Sequence, residues 1–263
     1  MYMKTRNILV LSLISIPLFW GIEASGQTKN PLSSLGRILG TKSPSNTKQQ
    51  GTTNTITQTE AITGIKQALS NGLTNSINTL SVKDGFLGNA AVKILMPKEA
   101  QQIEKTLRSL GMGSLCDKFV VSLNRAAESA VKEAAPVFVS ALSQMTVTDA
   151  FNILLGSEQD AATSFFKRTT STALASKFSP IVESALGKNN VSGYWTQLTS
   201  AYNNLPLSRE KVNTDLNAYV TQRAIEGLFV QVATEEIKIR QNIVGSRNSN
   251  ILNDVFGWVD KQK

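Results

Sequence analysis

Beyond about residue 60, apolar side chains recur every three or four positions almost to the C-terminus, and no stretch alternates apolar with polar long enough to form a sheet strand. Ile62, Ile65, Leu69, Leu73, Ile77 and Leu80 make the first such stripe. A chain patterned in this way buries its apolar surface helix against helix, so the expected fold is all-α, an irregular bundle of about eight helices. No internal period of roughly 20–50 residues points to a solenoid.

Local signals place the helix ends. A loop, SVKDGFLGNAAVKILMP, follows the first stripe. Pro97 suits the first turn of a helix carrying Ile103, Leu107 and Leu110, ended by Gly111 and Gly113. Ser114 is placed to cap the next, with Leu115, Phe119, Leu123, Ala126, Ala127 and Ala130 inward; Pro136 breaks or kinks it, and residues 137–145 resume. Thr146 or Thr148 caps a short helix closed by Gly156. Residues 160–178 read as one long helix, and Pro180 as the start of another that Gly187 ends. Tyr194, Trp195, Leu198, Tyr202 and Leu205 mark a further helix stopped by Pro206. Asp215 or Asn217 caps the longest, through Leu216, Val220, Ala224, Leu228 and Val232 towards Ile239; Ile251, Leu252, Val255, Phe256 and Val259 form the last.

The N-terminal part is built differently. Lys4 and Arg6 precede an apolar run at 8–16, extended past Pro17 by Leu18, Phe19 and Trp20, and Ala24-Ser25-Gly26 supplies small residues at a cleavage point. Residues 1–26 therefore read as a secretion signal with Gln27 as the mature start, the run being short of the ~20 apolar residues of a membrane span. No cysteine lies nearby to take a lipid. Residues 41–59 hold one apolar side chain, Ile56, too few to offset the entropy of ordering, so 27–59 is expected to be a disordered tether. Leu32, Leu35, Ile38 and Leu39 fall at helical spacing within it, a marginal short helix or a docking arm for a partner or membrane. The folded unit is then 60–263, long enough to bury about 70% of its unfolded surface without covalent staples.

Composition removes several chemistries. The chain has no histidine, which excludes Ser–His and Cys–His nucleophile pairs and imidazole zinc sites. Its single cysteine, Cys116, can form no internal disulfide and reads as a small buried hydrophobe. The net charge of +8 becomes +7 once Lys4, Arg6 and Glu23 are removed with the signal. Lysines and arginines are scattered, with Lys167-Arg168 the one adjacent pair, so no nucleic-acid footprint is expected; weak attraction to an anionic membrane surface is.

Six segments occur in order: DGFLGNAAVKILMP (84–97), LNRAAESA (123–130), QMTVTDAFNILLG (144–156), AATSFFKRTTS (161–171), SPIVESALG (179–187) and YVTQRAIEGLFVQVATEEIKIR (219–240). In this order they resemble the bacterial domain-of-unknown-function 4197 family, over nearly the whole folded part. The resemblance implies an exported α-helical domain and brings with it no reaction, cofactor or partner. It implies that Glu235, Glu236 and Arg240 keep the family's acid run ahead of a helix-ending arginine. Cys116 stands where the family has a small apolar residue, which argues against redox chemistry.

Three groups are candidates for a site. Asn124 and Glu128, four apart, share a helix face, and Arg125 pairs with Glu128 three residues on, among alanines that admit a close neighbour. They read as a polar lining of a ligand cleft or, as the ordinary outcome, a buried network satisfied internally. Lys167 and Arg168, beside Phe165, Phe166 and hydroxyls at 169–171, suit a phosphate or carboxylate, or simply a solvated face. Glu226, Glu235 and Glu236 lie on one helix; Glu235 and Glu236 diverge by about 100° and cannot act as a pair, and with Lys238 and Arg240 they read as charged surface. The Asp84-Gly85-Phe86-Leu87-Gly88-Asn89 loop lacks the donors of a calcium or phosphate loop, and its aromatic reads as a plug. The leading expectation is a non-enzymatic envelope module binding a partner protein or an apolar ligand, with no cofactor. The alternatives are a carboxylate- or metal-dependent enzyme using Glu128, Arg168 and Glu226, which must then converge in one cleft, and a membrane-surface protein attached through 32–39.

Overall fold

The computed structural model describes residues 56–204, 215–243 and 245–262. The expected signal at 1–26, the arm at 32–39, most of the tether, and Leu205 and Pro206 lie outside the described residues. Within them the chain is all-α: α1 (Gln58–Leu80), α2 (Gln101–Ser109), α3 (Gly113–Val131), α4 (Ala134–Gln144), α5 (Val147–Leu155), α6 (Ala161–Lys188), α7 (Val191–Asn203), α8 (Leu216–Arg240) and α9 (Asn250–Asp260), with a 3-10 turn at Lys98–Ala100 leading into α2.

The helix starts follow side-chain caps where the sequence provides them. Thr57 and Glu60 form a capping box, so α1 begins two residues ahead of the expected boundary. Thr146 and Asp149 make the same box on α5, and the Asp215 carboxylate accepts from the Ala218 amide at the start of α8. Three expectations change: the break expected at Pro136 falls at residues 132–133, so α4 starts at Ala134 and holds Pro136 in its first turn. Ser114 lies inside the first turn of α3, whose cap position is Met112 with no side-chain bond. The break expected at Pro180 is absent: α6 runs unbroken through it. Pro180 and Ser176 are both exposed, so the carbonyl that loses its amide partner belongs to the solvent-facing side of the helix, where losing one bond does not break it.

Helices α6 and α8 pack along each other as the spine of the bundle. Helix α3 lies against both, α1 covers another side of α8 and carries α9 and α5, α4 packs on α6, and α7 on α2 and α3. Because α8 is covered on several sides, it buries more than the one expected stripe, adding Thr221, Phe229, Gln231, Glu235 and Glu236. Phe138, Phe166 and Phe229 join α4, α6 and α8 edge to face, at 5.6 Å (Phe138–Phe166) and 6.4 Å (Phe138–Phe229) between ring centroids. Phe119 stacks on Trp195 at 5.4 Å between α3 and α7. Among the described residues no single helix is long and apolar enough to cross a membrane; α4 and α5 together pass on composition, but they meet at 103° and pack their apolar faces into the core.

Candidate functional site

The Asn124, Arg125 and Glu128 group is turned to holding the long loop. Asn124 is fully buried; its Oδ1 accepts from the Ile94 amide at 2.9 Å, and its Nδ2 donates to the carbonyls of Ile94 and Val120 at 2.8 and 2.7 Å. The Glu128 carboxylate accepts from the Phe86 and Leu87 amides at 3.2 and 3.5 Å and from Arg125 Nη1 at 2.7 Å. Arg125 reaches on to Asp84 at 2.6 Å, and that contact holds the Asp84 carboxyl below its ordinary range. Asp84 has φ +68, the left-handed region, and this sharp turn presents the amides of the next residues to Glu128. Phe86 is driven to zero exposure against Gly227 of α8. Asn124 and Glu128 thus bond loop backbone that has no helix to satisfy it, and Arg125 ties the Glu128 carboxylate to the Asp84 side chain.

Lys167 and Arg168, adjacent in sequence, lie on different grooves. Lys167 lines a cavity of about 480 Å³ between α6 and α8, whose walls include Ala175, Ala218, Ile225 and Phe229, with Glu226 on the opposite rim. Glu226 is tied to Arg223 at 2.6 Å and Gln222 at 2.9 Å, leaving Lys167 the cation without an ion-pair partner there among the described residues. Arg168 lines a cavity of about 620 Å³ between α4 and α6, with Val137, Ala141, Phe165, Ala173 and Lys177. Its guanidinium sits 5.8 Å from the Phe165 ring centroid. Glu128, Arg168 and Glu226 therefore do not converge: one is sealed under the loop, and the other two face separate grooves. No group of three His, Cys, Asp or Glu side chains among the described residues is arranged to hold a metal ion.

The Glu235–Glu236 pair is not the solvated surface its neighbours suggest; both are 7% exposed. Glu236 accepts from the Ala162 and Thr163 amides and the Thr163 hydroxyl, each at 2.9 Å, which caps the N-terminus of α6 from another helix. Arg240 grips the same carboxylate through Nε and Nη2 at 2.9 and 2.7 Å and donates to the Ile153 carbonyl at 2.8 Å. Glu235 faces α1, accepting from Asn75 at 3.2 Å, and pairs with Lys238 at 2.6 Å. The sequence reading passed over Arg247, which donates to the Ile239 and Arg240 carbonyls at the end of α8, pairs with Asp260 at 2.7 Å and stacks on Phe256. It also passed over Lys177, Ile225 and Phe229 as groove residues. Their spacing is that of ordinary core and surface, and only the packing of α4 and α8 on either side of α6 puts Lys177 on one groove and Ile225 and Phe229 on the other.

Cys116 is fully buried, and burial pushes its thiol above the ordinary range. The polar features that stand out most in the sequence thus serve to join helices and loop; two open grooves flank α6, and a third space of about 470 Å³ lies between α3 and α7, with Arg125 and Tyr194 in its lining. No curated protein and no solved structure matches the chain. A family described as a protein of unknown function (DUF4197) matches residues 55–257, from the capping box of α1 to the last turns of α9 and across all six segments that carry the resemblance, and the chain belongs to that family.

Proposed function

We propose that this protein is a non-enzymatic binding module of the bacterial envelope, exported and released at Gln27, that holds an apolar ligand in the groove between α6 and α8. The observation that carries this reading is the groove itself. About 480 Å³ falls within the range of small-ligand pockets, and the walls present Ala175, Ala218 and Ile225 on the solvent side of two packed helices, with the buried Phe229 behind them. Small residues on α6 keep it open. The rim adds Lys167, free to meet a polar end of the ligand, across from a Glu226 already engaged by Arg223. A protein partner needs about 800 Å² of surface on each side, more than this cleft supplies, so a small molecule is the better fit.

Native mass spectrometry of the protein purified without detergent from the envelope fraction tests the proposal. The expected result is a chain beginning at Gln27 with a retained mass of a few hundred daltons, lost in Ala175→Trp, which fills the groove from a half-buried position. Wild type and variant both bare would reject the ligand reading, and an N-terminus at Met1 would reject export.

A further inference from the structure

The second groove along α6 has a different character. Its floor is apolar, with Val137 and Phe165 each 8% exposed and Ala141 and Ala173 beside them, but its rim carries two cations, Arg168 and Lys177, both exposed and neither in an ion pair among the described residues. Lys177 stands nine residues after Arg168, about 13.5 Å along the helix axis. One carboxylate shares the lining, Asp149, and one of its oxygens is taken by the Thr146 amide and hydroxyl at 3.0 and 2.6 Å. The Arg168 guanidinium rests over Phe165, in no ion pair among the described residues although Asp149 feels its charge, and this stacking lowers the entropy lost on meeting an anion.

We propose that the α4/α6 groove is a second site, distinct from the α6/α8 groove, that binds a single-chain anionic amphiphile with its headgroup at Arg168 and its tail laid over Phe165, Val137, Ala141 and Ala173 towards Lys177. Charge and shape select this occupant. A purely apolar molecule leaves the Arg168 guanidinium unused, and a free inorganic anion leaves the apolar floor wet. A single aliphatic chain fits a volume of about 620 Å³ and the axial rise of about 13.5 Å between Arg168 and Lys177, which stand about 180° apart around α6, on opposite rims of the groove. Asp149 opposes the headgroup, so the site carries its own negative control: removing that charge tightens binding.

Titration calorimetry of the purified protein with dodecyl phosphate below its micellar concentration tests the site, with inorganic phosphate and the uncharged dodecyl maltoside as comparisons. One dodecyl phosphate is expected per chain, weakened about tenfold or more by Arg168→Ala, tightened by Asp149→Asn and abolished by Ala173→Trp, a change at an exposed position. Ala175→Trp, which fills the other groove, leaves this binding intact, so the two proposals fail separately. Inorganic phosphate binding as tightly as dodecyl phosphate, dodecyl maltoside binding as tightly, or affinity unchanged in both Arg168→Ala and Ala173→Trp would overturn the assignment.

Discussion

Phe86 and Gly227 show how one residue pair sets the path of a long irregular segment. The loop between α1 and α2 can enter the core because α8 has no side chain at 227: a Cβ built there lies 2.7 Å from Phe86 Cε1 and 3.2 Å from Val92 Cβ. Glu128 and Asn124 then satisfy the backbone that Phe86 and Ile94 bring with them. Gly227→Ala is therefore expected to destabilise the fold by about 1–3 kcal/mol through overpacking, beyond any gain in helix propensity. Denaturant unfolding checks it: Phe86→Leu in the Gly227→Ala background recovers part of the loss, whereas an unchanged midpoint in Gly227→Ala would contradict the contact. The Asp-Gly-Phe-Leu-Gly motif was legible as a plug. The glycine that receives it, about 140 residues away, was not, because a glycine inside a helix looks the same in sequence whether or not an aromatic fills its place.

At the scale of the helix, α8 works as a clamp. Its Glu236 caps α6, its Arg240 holds that carboxylate and the end of α5, and Arg247 closes its own C-terminus onto α9. Helix α6 begins without a side-chain cap of its own, and the missing acceptor comes from α8. Two adjacent acids thus differ sharply in consequence. Glu236→Ala leaves a buried arginine and two buried amides without their acceptor and is expected to cost about 3–5 kcal/mol. Glu235→Ala, whose ion-pair partner Lys238 is 41% exposed, should cost about 1 kcal/mol. Equal losses in thermal or denaturant unfolding would remove the capping account.

For the whole molecule, several carboxyls hold ion pairs or caps that depend on ionisation. The Asp84 carboxyl is lowered by its hydrogen bond to Arg125, and those of Asp149 and Glu60 by hydrogen bonds from Thr146 and Thr57. A folded pKa below the unfolded value means that the stabilisation is complete above about pH 4 and is lost as pH falls through the folded value, because the unfolded chain takes up protons first. Stability is therefore expected to drop on acidification below about pH 4, and the gap between wild type and Asp84→Asn to narrow there. A gap as wide at about pH 2.5 as at pH 7 would refute the assignment to Asp84. No histidine is present to add a transition near neutrality.

The all-α class, the burial of Cys116, and caps narrowed to Thr146 or Thr148 and to Asp215 or Asn217 were written in local sequence, because period and capping depend on residues within a turn or two of each other; Thr146 and Asp215 are the ones used. The unbroken run of α6 through Pro180 was not, since it depended on which side of the helix faces water. The candidate sites divided in the same way. That Arg125, Glu128, Lys167, Arg168 and Glu226 carry charge was plain from the chain. Tertiary packing alone decided that the first two secure a loop, that Glu236 is a buried cap, and that Lys167 and Arg168 open onto different grooves. Residue neighbours on one helix point about 100° apart, and the helices packed on either side determine what each one meets.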